Sequence, residues 1–122
     1  MSSNEKANQI ARLQEQLRII VAERQRLELE IKETDRVKTE IRALPPETDL
    51  YKSTGPVLYK SNMEEISSGL DKYRNELSER LTVYQSQESS LRTEVERLRR
   101  AASTPQRLSP NPESESDSEE DS

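Results

Sequence analysis

The chain has 122 residues and a net charge of -5, and 35% of its residues are charged, 30% hydrophobic and 3% aromatic. This apolar content is too small to wrap one ordinary core, so we expect an elongated protein ordered by the placement of a few apolar residues. Cysteine and histidine are absent, which excludes disulfides, the usual zinc ligand sets and the commonest general base. The two glycines lie too far apart for a phosphate-binding loop. We therefore predict a protein that is not an enzyme and that has no catalytic, metal or cofactor site.

The distribution of charge argues against nucleic acid as a partner. Residues 113–122 hold six acidic side chains and no basic one, which leaves 19 basic against 18 acidic side chains elsewhere. A nearly neutral body gives no electrostatic footprint for nucleic acid. The longest apolar run is Ile19–Ala22, far short of the roughly 18 to 20 residues needed to span a bilayer. We expect a cytoplasmic protein that does not bind membranes.

Apolar residues recur at heptad spacing in the first third of the chain. With Ile10 at position a and Leu13 at position d, seven of the ten seam positions up to Ile41 are aliphatic. This pattern predicts a first helix over residues 5–44. Pro45 and Pro46 then end the helix, because proline lacks the amide donor and moves its predecessor out of the α region.

Two short β-prone runs follow the prolines. Leu50–Lys52 and Val57–Lys60 flank a turn that contains Gly55 and Pro56, which predicts a β-hairpin over residues 49–60. Its second strand carries Val57 and Tyr59 on one face and Leu58 on the other. Two isolated strands are marginal in water, so this hairpin needs strands from other chains. The alternative is an ordinary loop folded onto the helix ends.

A second heptad pattern begins after the hairpin. Ser61–Glu64 has the form of a capping box with Ser61 as the cap, and it predicts a second helix over residues 62–102. With Met63 at position a, every a position to Leu98 is apolar. The d positions are weaker and include Arg80, and Leu81 and Val95 at position e replace them. The arginines of the last turns alternate with glutamates and suit the helix dipole better than nucleic acid.

The two predicted helices have equal lengths, which favours antiparallel packing across the short linker. The predicted fold is mainly α: a long antiparallel two-helix coiled coil over residues 1–102, with one β-hairpin at the bend. Arg24, Lys38 and Arg80 interrupt its seam. Either their long stems lie along the seam with the charges in water, or they penalise misaligned pairing.

Residues 103–122 contain three prolines and many serines and acids, which predicts a disordered acidic tail. Ser114, Ser116 and Ser118 each precede an acidic residue by three positions, a spacing that acidophilic kinases accept. Phosphorylation there would deepen the negative charge. Thr104 and Ser109, each followed by proline, are weaker candidates. The alternative is a tail that only improves solubility.

The hairpin segment Asp49–Lys60, set between matched helices, resembles the signature of β-type prefoldin subunits. Arg26–Glu28 and Val37–Glu40, together with Gly55–Leu58, resemble prefoldin subunit 6 more than its paralogues. The resemblance covers roughly residues 5 to 100. The chain departs from the family pattern at Ser53, Thr54 and Tyr59, where the family usually carries aliphatic or other apolar residues.

The resemblance implies one subunit of a hetero-hexamer of two α-type and four β-type subunits. Such a hexamer is an ATP-independent holding chaperone that binds unfolded actin and tubulin and delivers them to the cytosolic chaperonin. The resemblance also places assembly contacts at the hairpin, at Leu50, Tyr51, Val57, Leu58 and Tyr59. It places client contacts at the free helix ends: Ile10, Leu13, Leu17, Leu91, Val95 and Leu98. The alternative is a structural coiled-coil protein for tethering or dimerisation, without chaperone activity.

Overall fold

The computed structural model describes residues 2–103. Helix α1 (Ser3–Arg42) is followed by strand β1 (Leu50–Thr54), strand β2 (Val57–Ser61) and helix α2 (Met63–Ser103). At 1.5 Å per residue each helix is about 60 Å long. Two long helices with an antiparallel hairpin between them confirm the predicted fold class. Most of the tail predicted for residues 103–122 lies outside the described residues.

Helix α1 begins with a complete capping box that the sequence analysis missed. The Ser2 amide donates to a Glu5 carboxylate oxygen at 2.9 Å, and the Glu5 amide donates to the Ser2 hydroxyl at 3.0 Å. These two bonds satisfy backbone donors that a helix start leaves unpaired, so α1 starts at Ser3 rather than at residue 5. At its other end α1 stops at Arg42, and the Leu44 amide bonds three residues back to the Ile41 carbonyl as the chain tightens before Pro45.

The cap of α2 is Asn62, and the prediction of Ser61 was wrong. The Asn62 side-chain oxygen accepts the Glu65 amide at 2.8 Å, and the Ser61 hydroxyl lies 2.6 Å from the Glu65 carboxylate. Ser61 does not serve as the cap because it is the last residue of β2 and pairs with Leu50 in the sheet. The helix therefore starts one residue later than the predicted boundary.

The chain divides into two compact units. The hairpin unit is Val21–Ser86, and the terminal unit is Met1–Ile20 together with Gln87–Ser122. In the hairpin unit Leu27 and Leu77 are completely buried, Ile31 is nearly so, and Leu81 and Tyr84 pack against them.

Burial along α1 follows the predicted seam throughout, and burial along α2 follows it at the a positions. Every predicted a and d residue of α1 from Ile10 to Ile41 is partly or fully buried. Every predicted a residue of α2 is partly or fully buried, and the other line of the seam runs one residue after the predicted d, as predicted at Leu81 and Val95. From Leu70 onward the resulting seam positions alternate by four and three residues. They are Leu70, Arg74, Leu77, Leu81, Tyr84, Glu88, Leu91, Val95 and Leu98. Arg24 and Lys38 lie partly buried as predicted, but Arg80 is exposed, so its predicted place in the seam was wrong.

Candidate functional site

The β-hairpin is closed by a two-residue turn. Strands β1 and β2 pair antiparallel, with Thr54 opposite Val57 and Leu50 opposite Ser61. Gly55 has φ of 59°, and the ring of Pro56 holds its own φ negative. A positive φ at only the first central residue defines a type II′ turn, whose twist matches that of the flanking strands. The segment is thus a hairpin rather than a loop lying on the helix ends.

The pairing register sorts the apolar side chains of the hairpin onto two faces. Residues directly opposite each other share a face, and so do residues two positions apart along one strand. Tyr51 is opposite Lys60, which is two positions from Leu58, so Tyr51 and Leu58 lie on one face. Leu50, Val57 and Tyr59 lie together on the other face. Both faces of the hairpin therefore carry large apolar groups.

These apolar side chains have almost no cover within the chain. Leu58 is 69% exposed, Tyr51 58%, Val57 56% and Tyr59 40%, while Leu50 is partly buried. Within the described residues the sheet contains two strands, so each strand has one edge with unpaired backbone groups. Apolar surface beside open strand edges marks an interaction site.

Polar and apolar groups line a cleft of 420 Å³ at the base of the hairpin. Its walls include Leu44, Pro45, Leu50 and Met63, and Arg42 contributes a cation. Lys60, which also lines the cleft, forms an exposed ion pair with Asp49 at 3.4 Å. The cleft extends the apolar surface of the hairpin toward the ends of both helices in the hairpin unit.

Three polar contacts join α1 to α2 within the hairpin unit. Lys38 pairs with Asp71, Arg74 pairs with Asp35 at 2.7 Å, and the Tyr73 hydroxyl donates to Glu30. The hydrogen bond from Lys38 lowers the pKa of the Asp71 carboxyl, and the bond to Glu30 raises the pKa of the Tyr73 hydroxyl. Since each contact needs one alignment of the two helices, together they favour the observed register.

The terminal unit buries the helix-end side chains that the resemblance assigns to clients. Val95 is 5% exposed and Leu98 2%, and the other four residues of that set are partly buried. A side chain on an isolated helix keeps much more of its surface, so both helices of the unit must contribute to this cover. Val95 and Leu98 are therefore accessible to another chain only if the helix ends separate, and separation would enlarge the exposed surface of the other four.

The comparisons with known proteins agree with this architecture. A family model described as prefoldin subunit matches residues 4–104, which is most of the chain. The chain belongs to the prefoldin family. Its similarity extends through both helices and the hairpin, and so includes all the surfaces described above.

Similar proteins include prefoldin β subunits from several organisms, one of them with a solved structure. The chain is 37% identical to prefoldin subunit beta of Sulfolobus acidocaldarius over 87 residues, covering 71% of this chain and 70% of the relative. It is 33% identical to prefoldin subunit beta of Sulfurisphaera tokodaii, covering 75% of this chain and 73% of the relative. The crystal structure of the prefoldin β subunit from Thermococcus strain KS-1 matches with a TM-score of 0.79 and 25% identity, covering 82% of this chain and 88% of that one.

Membership of the prefoldin family makes this chain a chaperone subunit that assembles with other prefoldin subunits. Within residues 2–103 we found no cluster of acidic side chains able to hold a metal ion. A search of the same residues for a helix long and apolar enough to cross a bilayer also found none.

The sequence-predicted residues of this prefoldin subunit fall in separate places. The five hairpin residues come together in one small sheet, and the six client-binding residues all lie in the terminal unit. Their roles in assembly and client binding stay predictions. Ser114, Ser116 and Ser118 lie outside the described residues.

The sequence analysis missed the residues that join the two helices by polar contacts. Asp35, Asp71 and Arg74 look like ordinary surface charges when each helix is read alone. One signal was present, because Leu70, Leu77 and Leu81 show the four-three alternation that puts Arg74 in the seam. The partner of that arginine becomes visible only when the antiparallel alignment is known.

Proposed function

We propose that this prefoldin chain is one subunit of a hetero-hexameric, ATP-independent chaperone that holds unfolded proteins in the cytoplasm. The observation that carries the proposal is the hairpin, whose two faces both expose large apolar side chains beside open strand edges. A two-stranded sheet gains stability from added strands, and hairpins of neighbouring subunits supply them. Assembly would then cover Leu50, Tyr51, Val57, Leu58 and Tyr59.

Native mass spectrometry of the chain with its partner prefoldin subunits tests the assembly step. We expect a discrete hexamer from the mixture and self-association or low stability of the chain alone. Leu58→Asp should abolish the hexamer, because a carboxylate replaces an apolar contact. Leu29→Asp is the matched control, since Leu29 is 67% exposed on α1 and lies outside the hairpin. A hexamer that forms normally with Leu58→Asp would contradict the assigned surface.

The client-binding step places weak apolar contacts at the helix ends of the terminal unit. Separation of the ends would expose Leu13 on α1 and Leu91 on α2, each worth roughly 1.5 to 3 kcal/mol when covered again by a client. Contacts of this size on several subunits add by avidity and still release one at a time. We propose that clients of the actin and tubulin type are held this way and then delivered to the cytosolic chaperonin.

The double variant Leu13→Ser/Leu91→Ser tests this step in the assembled chaperone. It should form the hexamer but suppress the aggregation of chemically unfolded actin less well. Ile19→Ser/Val83→Ser is the control, because both side chains are already about half exposed. Equal suppression by both variants would remove the helix ends as the client site. Transfer of the held actin to purified chaperonin tests delivery separately.

A structural coiled-coil tether is the second candidate function. The continuous burial of the predicted α1 seam favours it, because a coil of that regularity is stable without any client. It predicts a monodisperse monomer or homodimer that ignores the other prefoldin subunits in native mass spectrometry. That result would replace the chaperone proposal.

A further inference from the structure

The last turns of α2 present arginines to solvent. Leu91, Val95 and Leu98 form the covered stripe of this helix, and the basic residues occupy the exposed surface around it. A shallow groove on that surface is lined by Thr93 and Glu96 together with three basic residues, Arg92, Arg97 and Arg100. We call the four exposed cations the arginine face; they are Arg92, Arg97, Arg99 and Arg100.

Three residues of the arginine face form ion pairs with glutamates of the same helix. Arg92 pairs with Glu88 at 2.8 Å, Arg97 pairs with Glu94, and Arg100 pairs with Glu96 at 3.5 Å. The pairs of Arg97 and Arg100 are exposed, and exposed pairs at this spacing are weak, so other carboxylates compete with them readily. Glu88 is only 14% exposed, but its partner Arg92 is 57% exposed and has donors open to other carboxylates. Among the described residues no ion pair is found for Arg99.

The charge of the tail is opposite to that of the unit from which it extends. The described part of the terminal unit holds seven basic and five acidic side chains, whereas the hairpin unit holds 11 basic and 13 acidic ones. Residues 113–122 hold six acidic side chains and no basic one. Electrostatic attraction therefore favours the terminal unit over the hairpin unit as the binding surface for this segment.

The connection is long enough for the acidic segment to reach the arginine face. Residues 104–112 span up to about 30 Å when extended, while the helix from Arg92 to Ser103 is about 17 Å long. Prolines at positions 105, 110 and 112 oppose continuation of the helix, so the chain is able to turn back. A short covalent connection also raises the effective concentration to about the millimolar range.

We propose that residues 113–122 bind the arginine face of α2 in the same chain. Their carboxylates exchange with the helical glutamates as partners of the arginines, and the segment lies outside the covered stripe. Phosphorylation of Ser114, Ser116 or Ser118 adds charge to the bound segment and strengthens the contact. This intramolecular contact goes beyond the chaperone function and does not depend on it.

Distance measurement between two nitroxide labels tests the proposal on the full chain in its assembled state. The two labels are attached at Ser90→Cys and Ser122→Cys. Because the sequence has no cysteine of its own, no other site is labelled, and the two substitutions remove no charge. In about 20 mM NaCl we expect a narrow distribution below roughly 25 Å, since the segment is held near the helix. In about 0.5 M NaCl, screening should give the broad distribution of a random coil centred beyond roughly 30 Å.

Charge variants decide which surface binds. Arg92→Gln/Arg99→Gln should give the broad distribution at low salt, while Lys32→Gln/Lys72→Gln, which removes the same charge from the hairpin unit, should keep the narrow one. A broad distribution for the unaltered pair at low salt overturns the proposal. The proposal is also overturned if Arg12→Gln/Arg18→Gln broadens the distance distribution as much as Arg92→Gln/Arg99→Gln does. That result would indicate diffuse attraction to the terminal unit.

Two further measurements address the occupant and its modification. Chains labelled at Ser90→Cys alone are mixed with chains labelled at Ser122→Cys alone. If the short distance appears only in this mixture, the segment binds a second copy, and the intramolecular contact is overturned. The triple variant Ser114→Glu/Ser116→Glu/Ser118→Glu increases the number of acidic side chains in the segment from six to nine. We expect the NaCl concentration at which half of the segment is released to increase roughly 1.5-fold. An unchanged salt midpoint would overturn the effect assigned to phosphorylation.

Discussion

The hairpin unit and the terminal unit solve helix pairing by different means. In the hairpin unit, side chains such as Lys38 and Asp71 join α1 to α2 beside the buried leucines. In the terminal unit, Val95 and Leu98 are buried, and ion pairs such as Arg18 with Glu15 lie within one helix. A polar contact between helices is satisfied in one alignment, whereas apolar contacts tolerate small shifts. The hairpin unit thus contains polar contacts that are specific for one alignment of its helices, and the buried apolar contacts of the terminal unit tolerate small shifts.

The largest expected effect comes from the buried leucines. Leu77→Ala should lower the free energy of unfolding by about 2–5 kcal/mol, because it leaves a cavity beside Leu27. Leu98→Ala removes an equally buried side chain of the terminal unit, but helix ends open locally, so we expect a smaller global loss. Urea denaturation of the assembled protein measures both. Equal losses would mean that the two units unfold together and that the comparison fails.

The helix caps give the next effect. Asn62→Ala should destabilise the hairpin unit by about 1 kcal/mol, because the Glu65 amide loses its acceptor. Asn62→Asp keeps an acceptor and serves as the control. Ser2→Ala removes the matching cap of α1, and the first turn should fray with little change in global stability. The thermal midpoint measures the global loss expected for Asn62→Ala. Hydrogen exchange of the first-turn amides of α1 measures the local fraying expected for Ser2→Ala.

A charge exchange between the helices should have a smaller effect. Lys38→Asp faces Asp71 with a like charge and should lower the thermal midpoint, and adding Asp71→Lys should restore most of the loss. Glu15→Arg/Arg18→Glu is the control, since it exchanges a pair within one helix of the terminal unit. If the double exchange restores nothing, the Lys38 contact does not contribute to the register.

The smallest expected effect is the pH dependence of the hairpin unit. The pKa of Asp71 is lowered from 3.8, so its contribution is complete above that pH and is lost as the pH falls through the lowered value. The pKa of Tyr73 is raised from 10.0, so its contribution is complete below that pH and is lost as the pH rises further. Asp71→Asn should make the acid limb of stability against pH shallower, although not flat, because the hydrogen bond from Arg36 also lowers the pKa of Glu33 in this unit. Tyr73→Phe should flatten the alkaline limb. Stability curves that keep both limbs unchanged in these variants would assign them to other groups.

The helices and strands were predictable from the sequence because the residues that begin and end them act locally. Pro45 and Pro46 stop α1 whatever surrounds them, and Gly55 with Pro56 permits only a narrow set of turns. The α1 seam was also predictable, since its apolar residues satisfy one heptad phase throughout.

The errors arose where two signals competed. Ser61 and Asn62 are both good caps, and the choice depends on where β2 ends, which requires the strand pairing. In α2 the predicted d positions were wrong at Tyr73 and Arg80, which are exposed, whereas the a positions and the replacement of weak d positions by Leu81 and Val95 were confirmed. The roles of the hairpin and helix-end residues stay predictions, because they concern contacts with other chains.

The turn at Gly55 and Pro56 has a consequence for the rate of association. A two-residue turn with one residue fixed by its ring limits the shapes that the strands sample before a partner arrives. Less conformational entropy is then lost on contact, so a larger share of encounters ends in binding. In the proposed assembly, strands of neighbouring subunits would add to a hairpin whose turn is already restricted.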